Sequence, residues 1–237
     1  MSLSIDANTG QPRRSALSWL PLLFLILLGV GALGVGLNHL LIPSAEQRDT
    51  IAMLAGKDYA DVQLANFDRN PLLIRSHAAI GTLFVVLAAF QFWPRFRRRN
   101  LRIHRIMGYG ALACLVLLPV TGVIATFVYP FAGFAGVVPN VFWMIVIVYC
   151  VANAWFAIRR HDVIDHEAWI TRATAMTLGI SLSRLYAPLL VMGFHVDSRT
   201  TVAIVFWLGQ GEGLAAAEFW LRRPGGPLQR RAARARP

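Results

Sequence analysis

The chain has 237 residues, of which 56% are apolar and only 15% charged, and its formal net charge is +11. A water-soluble fold needs polar residues along every exposed helix face, whereas the charges here are confined to short blocks between long apolar stretches. Nearly all the basic residues are arginines placed between or beyond those stretches, which is the pattern of a membrane topology and excludes nucleic acid as a partner.

An apolar run of about 20 residues is long enough to cross ~30 Å of hydrocarbon. Because no water is available at that depth, each such run must be a helix that satisfies its own backbone. Residues 1–15, with Arg13 and Arg14, read as a cytoplasmic N-terminal segment, and residues 16–222 as the membrane domain. The first run, Ala16 to Ile42, is too long for a signal-peptide core and has no small-residue cleavage pattern, so it is expected to be an uncleaved span. Its glycines Gly29, Gly31, Gly34 and Gly36 suit close helix packing.

An outer loop, 43–71, follows, in which Glu46, Asp49, Asp58, Asp61 and Asp68 outnumber Arg48, Lys57 and Arg69. Within it Ala45 to Leu54 has mild helical patterning. The second span, Leu73 to Trp93, is followed by Arg95, Arg97, Arg98, Arg99, Arg102 and Arg105. The third, Ile106 to Tyr129, and the fourth, Val138 to Ile158, are joined by the uncharged segment Pro130 to Val137. Arg159 and Arg160 precede the fifth span, Trp169 to Phe194; a short loop with Asp197 and Arg199 leads to the sixth, Thr201 to Leu221. The basic tail, 223–237, reads as disordered and suited to anionic lipid.

Six crossings put every arginine block on one side, and the positive-inside rule makes that side cytoplasmic. The expected fold class is therefore an all-α integral membrane protein, a six-transmembrane-helix bundle with N-in/C-in topology.

Ionisable groups inside a span cost several kcal/mol unless paired or wetted, so they point to function. Arg184 and Glu212 lie at similar depth on consecutive antiparallel spans, which predicts a midplane ion pair, with Gln210, Asn153, Ser181 and Ser183 adding hydrogen bonds. His104 precedes span three and His166 precedes span five, both at the cytoplasmic end. Imidazoles at matched depth on separate helices are what bis-histidine ligation of haem b requires, with Arg105 and Arg172 placed to meet propionates. Histidine is equally at home at a membrane interface, bonding headgroups. On the outer side His77 stands near His39 and His195 and forms a further candidate set. Cys114 and Cys150 fall inside spans and read as inert packing residues.

The stretches SHAAIGTLFVVLAAFQF from Ser76, HRIMGY from His104 and HEAWITRATAMTLGISLSR from His166 resemble the bacterial membrane-protein family called domain of unknown function 2306 (DUF2306). The shared pattern falls on His77, Gly81, Gln91, Phe92, His104, Arg105, Gly108, His166, Trp169, Arg172 and Arg184, across roughly Asn70 to Tyr186. Ile170 stands where methionine is expected. A looser likeness is to b561-type cytochromes, six-helix bundles with paired ligands on four consecutive helices, although spans four and six here contain no histidine. The family resemblance implies a bacterial inner-membrane location and supports the architecture; it implies no activity. Two functional expectations follow. One is a b-type haem redox protein exchanging electrons with quinone or a periplasmic partner. The other is a haem-free bundle that binds a lipid or small molecule, or serves as an accessory subunit or transporter.

Overall fold

A computed structural model describes residues 20–234, all helix and connecting turns with no strand among them. The expectations for residues 1–15, and for the start of the first span at Ala16, fall outside the described residues. The long helices are α1 (Leu20–Leu41), α4 (Pro71–Gln91), α6 (Leu101–Val128), α7 (Gly133–Arg159), α8 (Val163–Gly179) and α10 (Ser198–Arg222). Shorter ones are α2 (Ser44–Ala55), α3 (Lys57–Arg69), α5 (Pro94–Arg99), α9 (Ser183–Pro188) and α11 (Pro227–Arg234).

Four continuous helical segments are long and apolar enough to cross a membrane: Pro71–Gln91, Leu101–Val128, Gly133–Arg159 and Val163–Gly193. Helix α1 contributes the apolar stretch Ile26–Leu41, and α10 is of spanning length but carries Glu212 and Glu218. The outward faces are apolar: Val86, Ile106, Leu117, Ile124, Ile145, Phe156, Leu185 and Phe219 are all exposed. Such a surface is stable only against lipid.

Helix boundaries follow local chemistry. Proline opens α4 and α5 at Pro71 and Pro94, where its missing N–H is no loss. Asp162 caps α8 by accepting from the Asp165 amide at 3.0 Å. Asp197 caps α10 by accepting from the Arg199 and Thr200 amides, both at 3.0 Å. These bonds to Thr200 and Arg199 hold the Asp197 carboxyl below its usual range.

In packing order α1 lies on α4, α4 on α6, α6 on α7, α7 on α8 and α8 on α10. Helix α8 also touches α1 and α6 and is the central helix, burying Ala168, Thr171, Thr174, Ala175 and Met176 among others. The core joins Phe84, Cys114, Leu115, Trp143, Ile147, Cys150, Met176 and Leu182. Between α8 and α10 the backbones touch. A Cβ on Gly209 would lie 2.6 Å from the Gly179 carbonyl oxygen, and one on Gly213 would collide with the Ala175 carbonyl oxygen. Small residues at Gly209, Gly213 and Ala217 let the two helices approach this closely, as membrane helices do where no hydrophobic force drives them together. Of the first-span glycines only Gly36 is tight, since a Cβ there would collide with the Thr82 hydroxyl, while Gly34 has nothing within 4 Å.

Three details differ from the sequence expectations. The segment 43–71 is no plain loop: α2 falls on the expected helical stretch Ala45 to Leu54, and α3 adds a second helix that was not expected. Both are laid over one end of the bundle, where Ala60, Asn66 and Phe67 of α3 are buried. Helices α6 and α8 begin earlier than the hydropathy limits, so His104 and His166 sit in first turns rather than before the spans. The tail expected to be disordered forms α11 from Pro227, which packs on α8 and α10; Pro227 is buried and Arg231 pairs with Asp165, enough to hold a short basic helix. Residues 235–237 lie outside the described residues.

Candidate functional site

The end covered by α2 and α3 is here called the cap end; the opposite one, where α4 leads into α5, is the arginine end. A cavity of about 360 Å³ runs inward from beneath the cap. It is bounded by all six long helices and roofed by Tyr59, Gln63 and Phe67 of α3. Phe84, Leu118, Ile147 and Leu178 form an apolar inner wall, whereas His39, His77, Thr82, Tyr129, Asn140, Ser181, Arg184 and Gln210 are polar.

The irregular stretch after α8 positions the cation. Ile180–Leu182 is a 3-10 turn, α9 follows, and Leu189–Gly193 is a π-turn. The change of winding turns Arg184 onto the cavity, where its Nη1 donates to Ser183 Oγ at 2.8 Å.

Both cavity imidazoles have a defined tautomer when neutral. Thr121 donates its hydroxyl to the Leu117 and Leu118 carbonyls at 2.8 and 3.0 Å, so at 2.7 Å from His77 Nδ1 it acts as acceptor. Gln47, 4% exposed, donates Nε2 to the Ile42 and Asn38 carbonyls at 2.6 and 3.4 Å, so its Oε1 accepts from His39 Nδ1 at 2.8 Å. In each ring the proton is on Nδ1 and Nε2 keeps its lone pair. Burial pushes the Tyr59 phenol up from its usual range, opposed by the Arg184 charge. His39 also stands edge-on to Phe67 at 5.1 Å, dividing the cavity from a smaller one of about 200 Å³ that includes Gln47, Asp68, Pro71 and Arg75.

Seven buried side-chain polar atoms among the described residues have no hydrogen-bond partner, and four of them belong to this one cavity: Thr82 Oγ1, Tyr129 OH, Ser181 Oγ and Gln210 Oε1. Buried polar atoms are ordinarily satisfied, so four unsatisfied ones among the lining of one cavity make it the candidate binding site.

At the arginine end, Gln91 donates Nε2 to the His104 carbonyl at 3.0 Å and lies against Gly108, where a Cβ would sit 3.4 Å from Gln91 Oε1. His166 Nδ1 donates to the Ala154 carbonyl at 2.9 Å, again leaving Nε2 free, and His104 Nδ1 is buried without a partner. Arg172 is committed: its Nε donates to Glu218 at 2.5 Å, and its guanidinium lies 4.7 Å from the Trp169 ring centre. Arg222 bonds the other oxygen of Glu218 at 2.9 Å. Arg105 is exposed.

The residues singled out by sequence thus fall into two groups. His104, His166 and Arg172 gather at the arginine end with Gln91, Gly108 and Trp169; His77 and Arg184 share the cap-end cavity with Gly81. His195 is exposed in a left-handed turn, φ 52°, outside both groups. Asn153 bonds only the Tyr149 carbonyl of its own helix.

Arg184 and Glu212 do not pair. Arg184 has Ser183, and Glu212 accepts the Tyr186 hydroxyl on a different face of α10 from the glycines that meet α8. The carboxylate that does neutralise an arginine of this segment is Glu218, and depth matching of Arg172 with the arginine end of α10 was the signal that could have found it. Tyr59, Gln63 and Tyr129 carried no such signal, because the roof helices and the helix ends read as connectors.

Among known proteins, a family model described as "Predicted membrane protein (DUF2306)" matches residues 74–221, more than half of the chain. No curated protein matches. No solved structure matches.

Proposed function

The chain belongs to this DUF2306 family of membrane proteins, and on that premise we propose a six-span protein of the bacterial inner membrane, both termini cytoplasmic, that binds an amphiphilic small molecule or lipid in its cap-end cavity. The topology is supported by the arginines that fill α5 after α4, end α7 at Arg159 and close α10 at Arg222, all at one end of the bundle. Binding is supported above all by the four unsatisfied polar atoms that belong to residues lining this cavity. The cavity volume falls within the ~300–1,000 Å³ of small-molecule sites, and its mixture of apolar wall and few polar groups is what such sites use.

The expected outcome is that protein extracted in mild detergent carries a co-purifying amphiphile visible by native mass spectrometry. Gly122→Leu should displace it: Gly122 lines the cavity, and a Cβ there meets only His77 Cε1 at an ordinary 3.6 Å. Wild-type protein that carries nothing and takes up no amphiphile would sink the reading.

A second reading, haem b at the arginine end exchanging electrons with quinone or a periplasmic partner, is favoured by one observation. His166 donates Nδ1 to a backbone carbonyl, the bond that orients a metal-ligating imidazole, and His104 Nδ1 lacks a partner. The imidazoles His104 and His166 suit axial ligation, for which haem supplies one-electron chemistry. Arg172 does not suit a propionate, because Glu218 already holds it. The absorbance spectrum of the same preparation decides this: a Soret band lost in His104→Ala and His166→Ala supports haem, and colourless protein from haem-replete cells removes it.

A further inference from the structure

Resting on the cavity reading, we propose that the occupant is an amphiphile with an anionic oxygen headgroup, seated against Arg184, its tail lying along the wall of Phe84, Leu118, Ile147 and Leu178.

The argument begins with charge. Of the residues lining the cavity, Arg184 is the one permanently charged side chain, and no aspartate or glutamate lines it. Arg184 makes no ion pair among the described residues; its hydrogen bond goes to a neutral serine hydroxyl. A guanidinium has five N–H donors, and inside a membrane an uncompensated charge costs several kcal/mol. The other arginine of the same helical segment, Arg172, has its carboxylate in Glu218. At Arg184 the chain brings no counter-charge, and a bound oxyanion supplies one.

Hydrogen bonding agrees. Besides Arg184, the cavity lining offers hydroxyls at Thr82, Tyr129 and Ser181, each able to donate, and amides at Asn140 and Gln210. Gln210 is 7% exposed, with Oε1 unpartnered. Charge-assisted bonds from such donors to one oxyanion are roughly twice as strong as neutral ones. The remaining requirement, an apolar tail, comes from the inner wall, where no polar group would be left to solvate a second headgroup.

A carboxylate and a phosphoryl group share this chemistry, and the test separates them. Full-length protein in phosphatidylcholine nanodiscs is titrated with dodecanoate, dodecyl phosphate and dodecanol, and binding is taken as the signal above that of Gly122→Leu. Either anion should bind at least tenfold more tightly than the alcohol, the tighter of the two naming the headgroup. Arg184→Gln should lower anion affinity to the level of the alcohol, and Arg184→Lys should keep most of it; elution volume and melting temperature establish that both variants are folded. Dodecanol binding as tightly as the anions, or full anion affinity in folded Arg184→Gln, overturns the headgroup assignment and leaves the cavity reading intact. No binding above Gly122→Leu by any of the three overturns both.

Discussion

Arg172 and Arg184 lie on one helical segment and meet different fates, and the difference lies in azimuth. Position along a span gives depth, which is why matching chain positions led to Glu212 as the expected partner of Arg184. It does not give the direction in which a side chain leaves the helix once the winding changes. The 3-10 turn at Ile180–Leu182 resets the phase, so Arg184 reaches the cavity and Glu212 is left to Tyr186. Before that turn the helix is regular, and Arg172 meets Glu218. The pair is asymmetric: the Arg172 side chain is 14% exposed and relies on Glu218, while Glu218, at 28%, has Arg222 as well. Glu218→Gln should therefore cost roughly 3 kcal/mol by leaving a buried guanidinium unneutralised. Arg172→Met should cost clearly less, and the double variant should regain most of the loss. Unfolding of the purified protein in detergent measures all three; a larger loss from Arg172→Met than from Glu218→Gln would contradict the assignment.

Among elements, the contact between α8 and α10 sets how closely the bundle can close. Its sequence signal, Gly209, Gly213 and Ala217 at spacings of four, was present in the chain, while the denser glycines of the first span drew the packing expectation. Density is a poor guide, because a glycine matters only where another backbone arrives. Gly213→Ala places a methyl group on the Ala175 carbonyl and should destabilise by roughly 1–3 kcal/mol, since the helix axes must move apart to admit it. Gly34→Ala, with nothing within 4 Å, should be neutral or stabilise by up to about 1 kcal/mol. Equal melting temperatures for the two variants would refute the tight contact. Helix α3 was hidden for a related reason, unlike α2, which falls on the mildly helical stretch Ala45 to Leu54: α3 is polar and short, and its helicity is supported by packing over the bundle more than by its own pattern.

For the whole molecule, apolar run length gave the order of the long helices but not their starts, as α6 and α8 show, because the bilayer fixes the apolar stretch and leaves the helix ends to local chemistry. The partition of polar residues between lumen, lipid and ends was not legible, since it depends on which faces meet. The arginine blocks make a sided prediction. A fluorescent protein fused after the tail should fold and emit, whereas alkaline phosphatase should be active when inserted at Pro130 and inactive at the C-terminus; the reverse would invert the topology.

The wall of the chamber is completed by Val202, Phe206 and Gln210, all from α10, which follows the other five long helices in the chain. Until that helix settles against Gly179 and Ala175 the chamber lacks this wall, and on the proposed reading acyl chains of the bilayer would enter from that side. Closing the seam is then an act of capture. On the proposed reading the first occupant would be taken up from the leaflet during biogenesis, and leaving between α8 and α10 would mean parting their touching backbones.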